Sequence, residues 1–122
     1  MSAAPKPIPI TGLNGPVLLR FEHIHATINK VTPGTFALGY ADAAGGFCVL
    51  QVGRSDSDIA SQLIGRIGTQ ALFKYVLLAS PVLAFEKECE IWHSFAPPNS
   101  RRHPERTPGT QLICPYCRQL GS

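Results

Sequence analysis

Apolar and polar positions along the chain alternate between helical and strand periods. In RFEHIHATINKV, Phe21, Ile24, Ile28 and Val31 fall at helical spacing and predict a short helix. GTFALGY, residues 34–40, alternates as a strand, AAGG supplies turn glycines, and FCVLQV, residues 47–52, forms the second arm of a hairpin. SDSD then offers helix-capping groups between Ser55 and Ser57, and Ile59, Leu63 and Ile67 predict a helix that ends near Gly65 or Gly68. LFKYVLLA, residues 72–79, reads as a third strand. Ser80 caps the next helix and Pro81 occupies its first turn, where a missing N–H costs nothing. That helix reaches about Phe95, with Val82, Phe85, Cys89 and Trp92 on its buried face. The order β-β-α-β-α predicts an α+β fold, a small three-stranded antiparallel sheet with packed helices.

Length and charge refine this outline. A chain of 122 residues, 44% of them hydrophobic, holds one domain with a modest core. The opening MSAAPKPIPITG has alternating prolines and no apolar core of a signal peptide, so residues 1–15 read as an extended arm and residues 16–122 as a single domain. No apolar run approaches the ~18 residues of a membrane span. With no export signal visible, the expectation is a cytoplasmic, reducing setting in which cysteines are thiols or metal ligands. The net charge of +3 sits in the tail, residues 96–122, where Arg101, Arg102, Arg106 and Arg118 face Glu105 alone. This tail is loop-like up to Ile113.

The tail ends in CPYC, Cys114 to Cys117. A redox dithiol of this sequence sits after a strand and opens a helix whose N-terminus stabilises the thiolate. Here only RQLGS follows, and no βαβ unit surrounds it. The metal reading has partners. Cys89 and His93 lie one helical turn apart on the same face. With Cys114 and Cys117 they make a Cys3His set, the donor set of a closed, structural zinc site. His103 is the alternative fourth ligand in place of His93, and Cys48 reads as a buried strand thiol. Such a site would tie down a long loop that is otherwise unusual in a small domain. His23 and His25 read as bystanders.

With these pieces in place, the chain resembles the GIY-YIG endonuclease family. The resemblance rests on PGTFALGY, FCVLQVGRSDSDIASQL and AFEKEC, and spans roughly residues 33–117. It is nearest to a bacterial subgroup with a Cys/His extension, through Ser80-Pro81, Ala84-Phe85-Glu86, Glu88-Cys89, His93, HPERTP and CPYC. The resemblance implies a phosphodiester hydrolase using one magnesium or manganese ion, with nucleic acid, DNA before RNA, as partner. It places Glu86 at the metal-binding glutamate. The family's first motif tyrosine falls on Phe36 and its second on Gln51, while the helix arginine falls on Ser61 or Gln62. Arg54 and Arg66 are the nearest basic replacements, and Tyr40 is the nearest phenol on the strand of Phe36, ~13 Å along it. Arg54, Arg66, Arg101 and Arg102 are the candidate phosphate contacts. Two alternatives stand beside hydrolysis: an inactive nucleic-acid-binding module, and a protein-interaction domain with a basic tail.

Overall fold

The structure, a computed structural model, describes residues 12–119. The sequence-predicted arm lies in part outside them, and its last two residues belong to a strand. The elements are β1 (Asn14–Leu18), α1 (Phe21–Thr27), β2 (Gly34–Ala41), β3 (Phe47–Ser55), α2 (Ile59–Ile64), β4 (Leu72–Leu77), α3 (Pro81–Phe95) and α4 (Pro115–Gln119). They form an α+β fold around a four-stranded antiparallel sheet in the order β1-β4-β2-β3. The expected three strands are all present, and β1 adds a fourth at the edge. Its sequence, NGPVL, carries a turn-like Asn-Gly-Pro that hides the strand. Among the described residues no helix is long and apolar enough to cross a membrane.

Local chemistry explains the turns. In the β2–β3 hairpin the Asp42 carboxylate accepts from the N–H of Ala44 and of Gly46, at 2.9 and 2.7 Å. Gly45 takes the positive φ of 89° that closes the turn. Asp58 rather than the preceding serines caps α2, accepting from Ser61 N–H, while Ser55 Oγ accepts from the N–H groups of Ser57 and Asp58. Ser80 caps α3 as expected, accepting from Leu83 N–H. α3 ends at Ala96, whose φ of 43° turns the chain out of the helix.

The sheet buries both faces. On one side Phe36, Leu38 and Phe73 pack with Leu19, Ile24, Ile28, Ile59 and Leu63, the inward residues of α1 and α2 and the link between β1 and α1. Phe21 and Val31, also expected on the buried stripe of the first helix, are exposed, and Phe21 stacks on His25. On the other side Ala37, Val49 and Val52 meet Ile91 of α3, with Trp92 and Phe95 alongside. Thr35 is fully buried on this face and donates its hydroxyl to the Ala84 carbonyl at 2.7 Å, fixing the start of α3 to the sheet.

α3 is rotated relative to the sequence expectation. Its buried residues are Ala84, Phe85, Glu88, Cys89 and Ile91, while Val82 is exposed. An acid inside the buried stripe moved the apparent centre of that stripe, because an apolar pattern cannot count a buried carboxylate.

β3 is an edge strand, and exposed edges invite unwanted pairing. The tail covers this one. Asn99 N–H donates to the Leu50 carbonyl at 2.8 Å, and Ser100 Oγ bonds both the N–H and the carbonyl of Val52. Trp92 Nε1 donates to the Ser100 carbonyl at 2.7 Å, closing α3 onto the same turn.

A bulge sits where this edge begins. Leu38 pairs with Gln51 but Gly39 pairs with Val49, so Leu50 is the extra residue. The strands approach so closely there that a Cβ on Gly39 would lie 1.8 Å from the Cys48 carbonyl oxygen. Gly39→Ala should therefore lower stability by at least the ~1–3 kcal/mol of an overpacked core position. Urea unfolding monitored by Trp92 fluorescence measures it, and a midpoint equal to wild type would contradict the register described.

Candidate metal centre and adjoining cleft

α3 carries two functional faces. Residues two apart on a helix point in nearly opposite directions, at ~200°. Glu88 turns under β3 to meet Arg54, while Glu90 pairs with Lys87; burial first, then the charges of Glu90 and Glu86, raises the Tyr116 phenol of α4. Cys89 and His93 lie between these directions, toward the tail.

The tail brings the other donors. His93, His103, Cys114 and Cys117 have ligand atoms that all lie within 4.8 Å of one another. Cys114 Sγ is 3.4 Å and Cys117 Sγ 3.5 Å from His93 Nε2, and Cys117 Sγ is 3.3 Å from His103 Nε2. Tetrahedral coordination with metal–sulfur bonds near 2.3 Å and metal–nitrogen bonds near 2.0–2.1 Å sets sulfur–nitrogen edges of about 3.5 Å. The cluster therefore matches the dimensions of a four-coordinate ion. His103 Nδ1 lies 2.8 Å from the Pro104 carbonyl. With an ion bound, a proton donated there from Nδ1 would leave the Nε2 lone pair for the metal, the usual way a ligating histidine is oriented.

Cys89 is not one of the four. It is fully buried against Phe85 and Cys114, and His103 completes the group instead. His93 and His103 are thus both present, where the sequence reading had weighed one against the other. The reason is the edge contact at Asn99 and Ser100, which fixes the start of the tail so that residue 103 returns over α3. No periodic signal marks a loop residue placed by such a contact, and the HP dipeptide was the available hint. Burial first, then hydrogen bonding to Cys114, raises the Cys89 thiol, so it stays protonated beside its neighbour. Burial also opposes the Cys114 thiolate. Hydrogen bonds from the Tyr116 backbone, His103, Cys89 and the Cys117 backbone outweigh it and lower Cys114 to about 6. The thiolate form of Cys114 is thus favoured at neutral pH, the form a metal ion would require.

Beside the cluster a polar cleft opens along the outer edge of β3. One lobe, about 310 Å³, is lined among others by Gln51, Arg66, Glu88, Arg101, Arg102 and Glu105. A second, about 390 Å³, shares Arg66, Glu88 and Glu105 and adds Arg54, Asp56 and Gln62. Arg54 is held at the base. Its Nη1 donates to Glu88 at 2.6 Å, its Nε donates to Asp56 at 2.9 Å, and its guanidinium lies 5.1 Å from the centre of the Phe85 ring. Burial opposes the Arg54 cation, yet bonds to Asp56 and Glu88 more than compensate and raise its pKa. Burial raises Glu88, and Arg54 only partly offsets it. Thr107 donates to the other Asp56 oxygen at 2.8 Å, so the tail is pinned to this network as well.

The structure thus brings Gln51, Arg54, Arg66, Arg101 and Arg102 around one cleft. Glu86 and Tyr40 line neither lobe. Tyr40 lies opposite Cys48 at the hairpin end of β2. Glu88, which sequence reasoning left unassigned, is a buried carboxylate that lines both lobes, where Glu105 and Asp56 add further acids. Its signal was the spacing Ala84-Glu88-Ile91, a sheet-facing helical stripe with an acid in the middle. Phe36 is fully buried, with its ring against Gly53, where a Cβ would lie 2.5 Å from it, and with Arg66 5.5 Å from the ring centre. Compared with protein families, curated proteins and solved structures, the chain matches none.

Three measurements check the metal centre. Protein purified without chelator should carry one divalent metal per chain. His103→Ala should weaken metal affinity by more than the ~10–100-fold typical of a lost outer partner. Cys89→Ala should keep the metal, and in the cobalt-loaded protein should leave the thiolate charge-transfer band at wild-type intensity. A band that falls in Cys89→Ala and holds in His103→Ala would replace His103 by Cys89 in the ligand set.

Proposed function

We propose that the chain is a zinc-stabilised nucleic-acid-binding domain of the GIY-YIG type, whose cleft takes the sugar-phosphate backbone. The observation that carries this reading is the convergence of Arg66, Arg101 and Arg102 on one polar cleft beside the Cys/His cluster. Arg54 is locked by two carboxylates and is a structural support of the cleft. The other three arginines supply the phosphate contacts, because guanidinium forks match phosphate oxygens. Two sulfurs and two imidazole nitrogens favour zinc, and four protein donors leave no open position, so the ion is structural.

A second reading, hydrolysis assisted by a divalent ion, is favoured by Glu88 in that cleft. There it would hold the position that the resemblance gave to Glu86. Against efficient chemistry stand Phe36, which brings no hydroxyl, and Gln51, which exchanges no proton at neutral pH. Losing one general acid or base costs ~10²–10⁴-fold.

Binding to duplex DNA and RNA should weaken with salt at a log–log slope of about −2 to −3, the value for three phosphate contacts. Arg101→Ala and Arg102→Ala should each reduce that slope by ~1. Binding without salt dependence would remove the reading. The same substrates with magnesium or manganese should show little or no cleavage. Vigorous cleavage that Glu88→Gln abolishes and Glu86→Ala preserves would establish the second reading instead.

Elemental analysis should identify the bound metal as zinc. Its removal by a chelator should lower the melting temperature and expose residues 96–113 to protease while the sheet persists. An unchanged melt and digest would exclude a structural metal.

A further inference from the structure

A second cavity adjoins the cleft and differs from it in chemistry. It measures about 300 Å³ and is lined by Trp92, Ala96, Pro97, Pro98, Ser100 and Arg101. Its walls are an indole and two prolines, with an arginine at the rim. Trp92, Ser100 and Arg101 line both this pocket and the polar cleft. A ligand can therefore lie in both at once, with an anionic part in the cleft and a flat apolar part in the pocket.

The pocket is built before any ligand arrives. The left-handed turn at Ala96 and the ring constraints of Pro97 and Pro98 set its floor. Ser100 is fixed to the Val52 backbone, and the Trp92 indole is held by its bond to the Ser100 carbonyl. Behind it, the His103 ring stands 5.0 Å from the Trp92 ring, so the metal centre buttresses the indole. Little side-chain ordering is left for the binding event, and preorganisation of this kind favours affinity.

We propose that this pocket receives one unpaired nucleobase of a strand whose phosphates lie in the adjoining cleft. The inference rests on the cleft binding a sugar-phosphate backbone, and adds the class of strand. Bases of an intact duplex are stacked on one another and cannot enter a pocket. A base of a single-stranded, looped or frayed segment can, and it stacks on aromatic faces irrespective of sequence. Arg101 at the shared rim neutralises the phosphate that joins the two parts. A purely apolar partner is disfavoured by the same arginine and by the cationic cleft beyond it.

Trp92 is the chain's single tryptophan, so its emission reports on the pocket directly. The metal-loaded protein is titrated with a short single-stranded oligothymidylate, with an abasic oligomer of the same length and charge, and with a blunt duplex. The oligothymidylate should change Trp92 emission and bind about 5–100-fold more tightly than the abasic strand, the worth of one stacked base. The abasic strand should bind in a salt-dependent way and leave the emission unchanged, as should the duplex. Equal affinity of both single strands, with emission unchanged, overturns the base pocket and leaves the cleft reading standing. A duplex that alters Trp92 as strongly as the single strand also overturns it. If no oligomer binds, the cleft reading falls first and this inference with it.

Discussion

A carboxylate buried beneath a sheet edge has to meet a cation, and the pairing of Glu88 with Arg54 answers that demand. Their side chains are only 12% and 10% exposed. A pair this buried adds little stability over an apolar substitute, but breaking it by removing one partner costs several kcal/mol. Its effect is therefore on geometry. It fixes the rotation of α3 about its axis. With Glu88 under β3, Cys89 must point toward α4, His93 toward the returning tail, and Trp92 along the strand edge. The Cys/His cluster, the cleft and the aromatic pocket all inherit their positions from that one angle.

The tail depends on the same pair by a second route. Asp56 holds Arg54 with one oxygen and Thr107 with the other. The tail is thus attached to β3 at Leu50 and Val52, to the ion network at Asp56, and to α3 through the Cys/His cluster. A loop held at three separated places encloses space, and the cleft and the pocket are the spaces enclosed. The arginines of the tail would be solvated charges on an unattached chain. Held this way, Arg101 and Arg102 face the cleft with Arg66 on the other wall.

What could be read in the sequence follows from how local each determinant is. Ser80-Pro81, the Ala-Ala-Gly-Gly turn and the two Cys-containing segments are local signals, and they placed α3, the hairpin and the ends of the metal site. The α+β class followed from strand and helix order. β1 was hidden because Asn-Gly-Pro inside five residues outweighs two apolar neighbours. That Glu88 received no role, and that His103 was weighed only as a substitute for His93, had one shared cause. Both depend on the rotation of α3 and on the path of a loop, and these are set by contacts between residues far apart in sequence. Periodicity reports which face of a helix is apolar. It does not report that a face contains a paired charge.

The division of labour between bonds and metal can be argued from magnitudes. Ordering residues 96–113 costs on the order of 20 kcal/mol in backbone freedom. The hydrogen bonds that Asn99, Ser100 and Thr107 make with β3 and Asp56, and that Trp92 makes to Ser100, contribute about 1 kcal/mol each. These bonds select the path of the tail but leave most of that cost uncovered. A structural metal ion held by the four donors would contribute on the order of 10 kcal/mol or more, most of what remains. The β3 edge therefore decides where the tail runs, and an ion in the Cys/His cluster would decide whether it stays there. A fold arranged this way would link metal occupancy to the shape of the cleft, since Arg101 and Arg102 lie between the β3 contact at Ser100 and the Cys/His cluster.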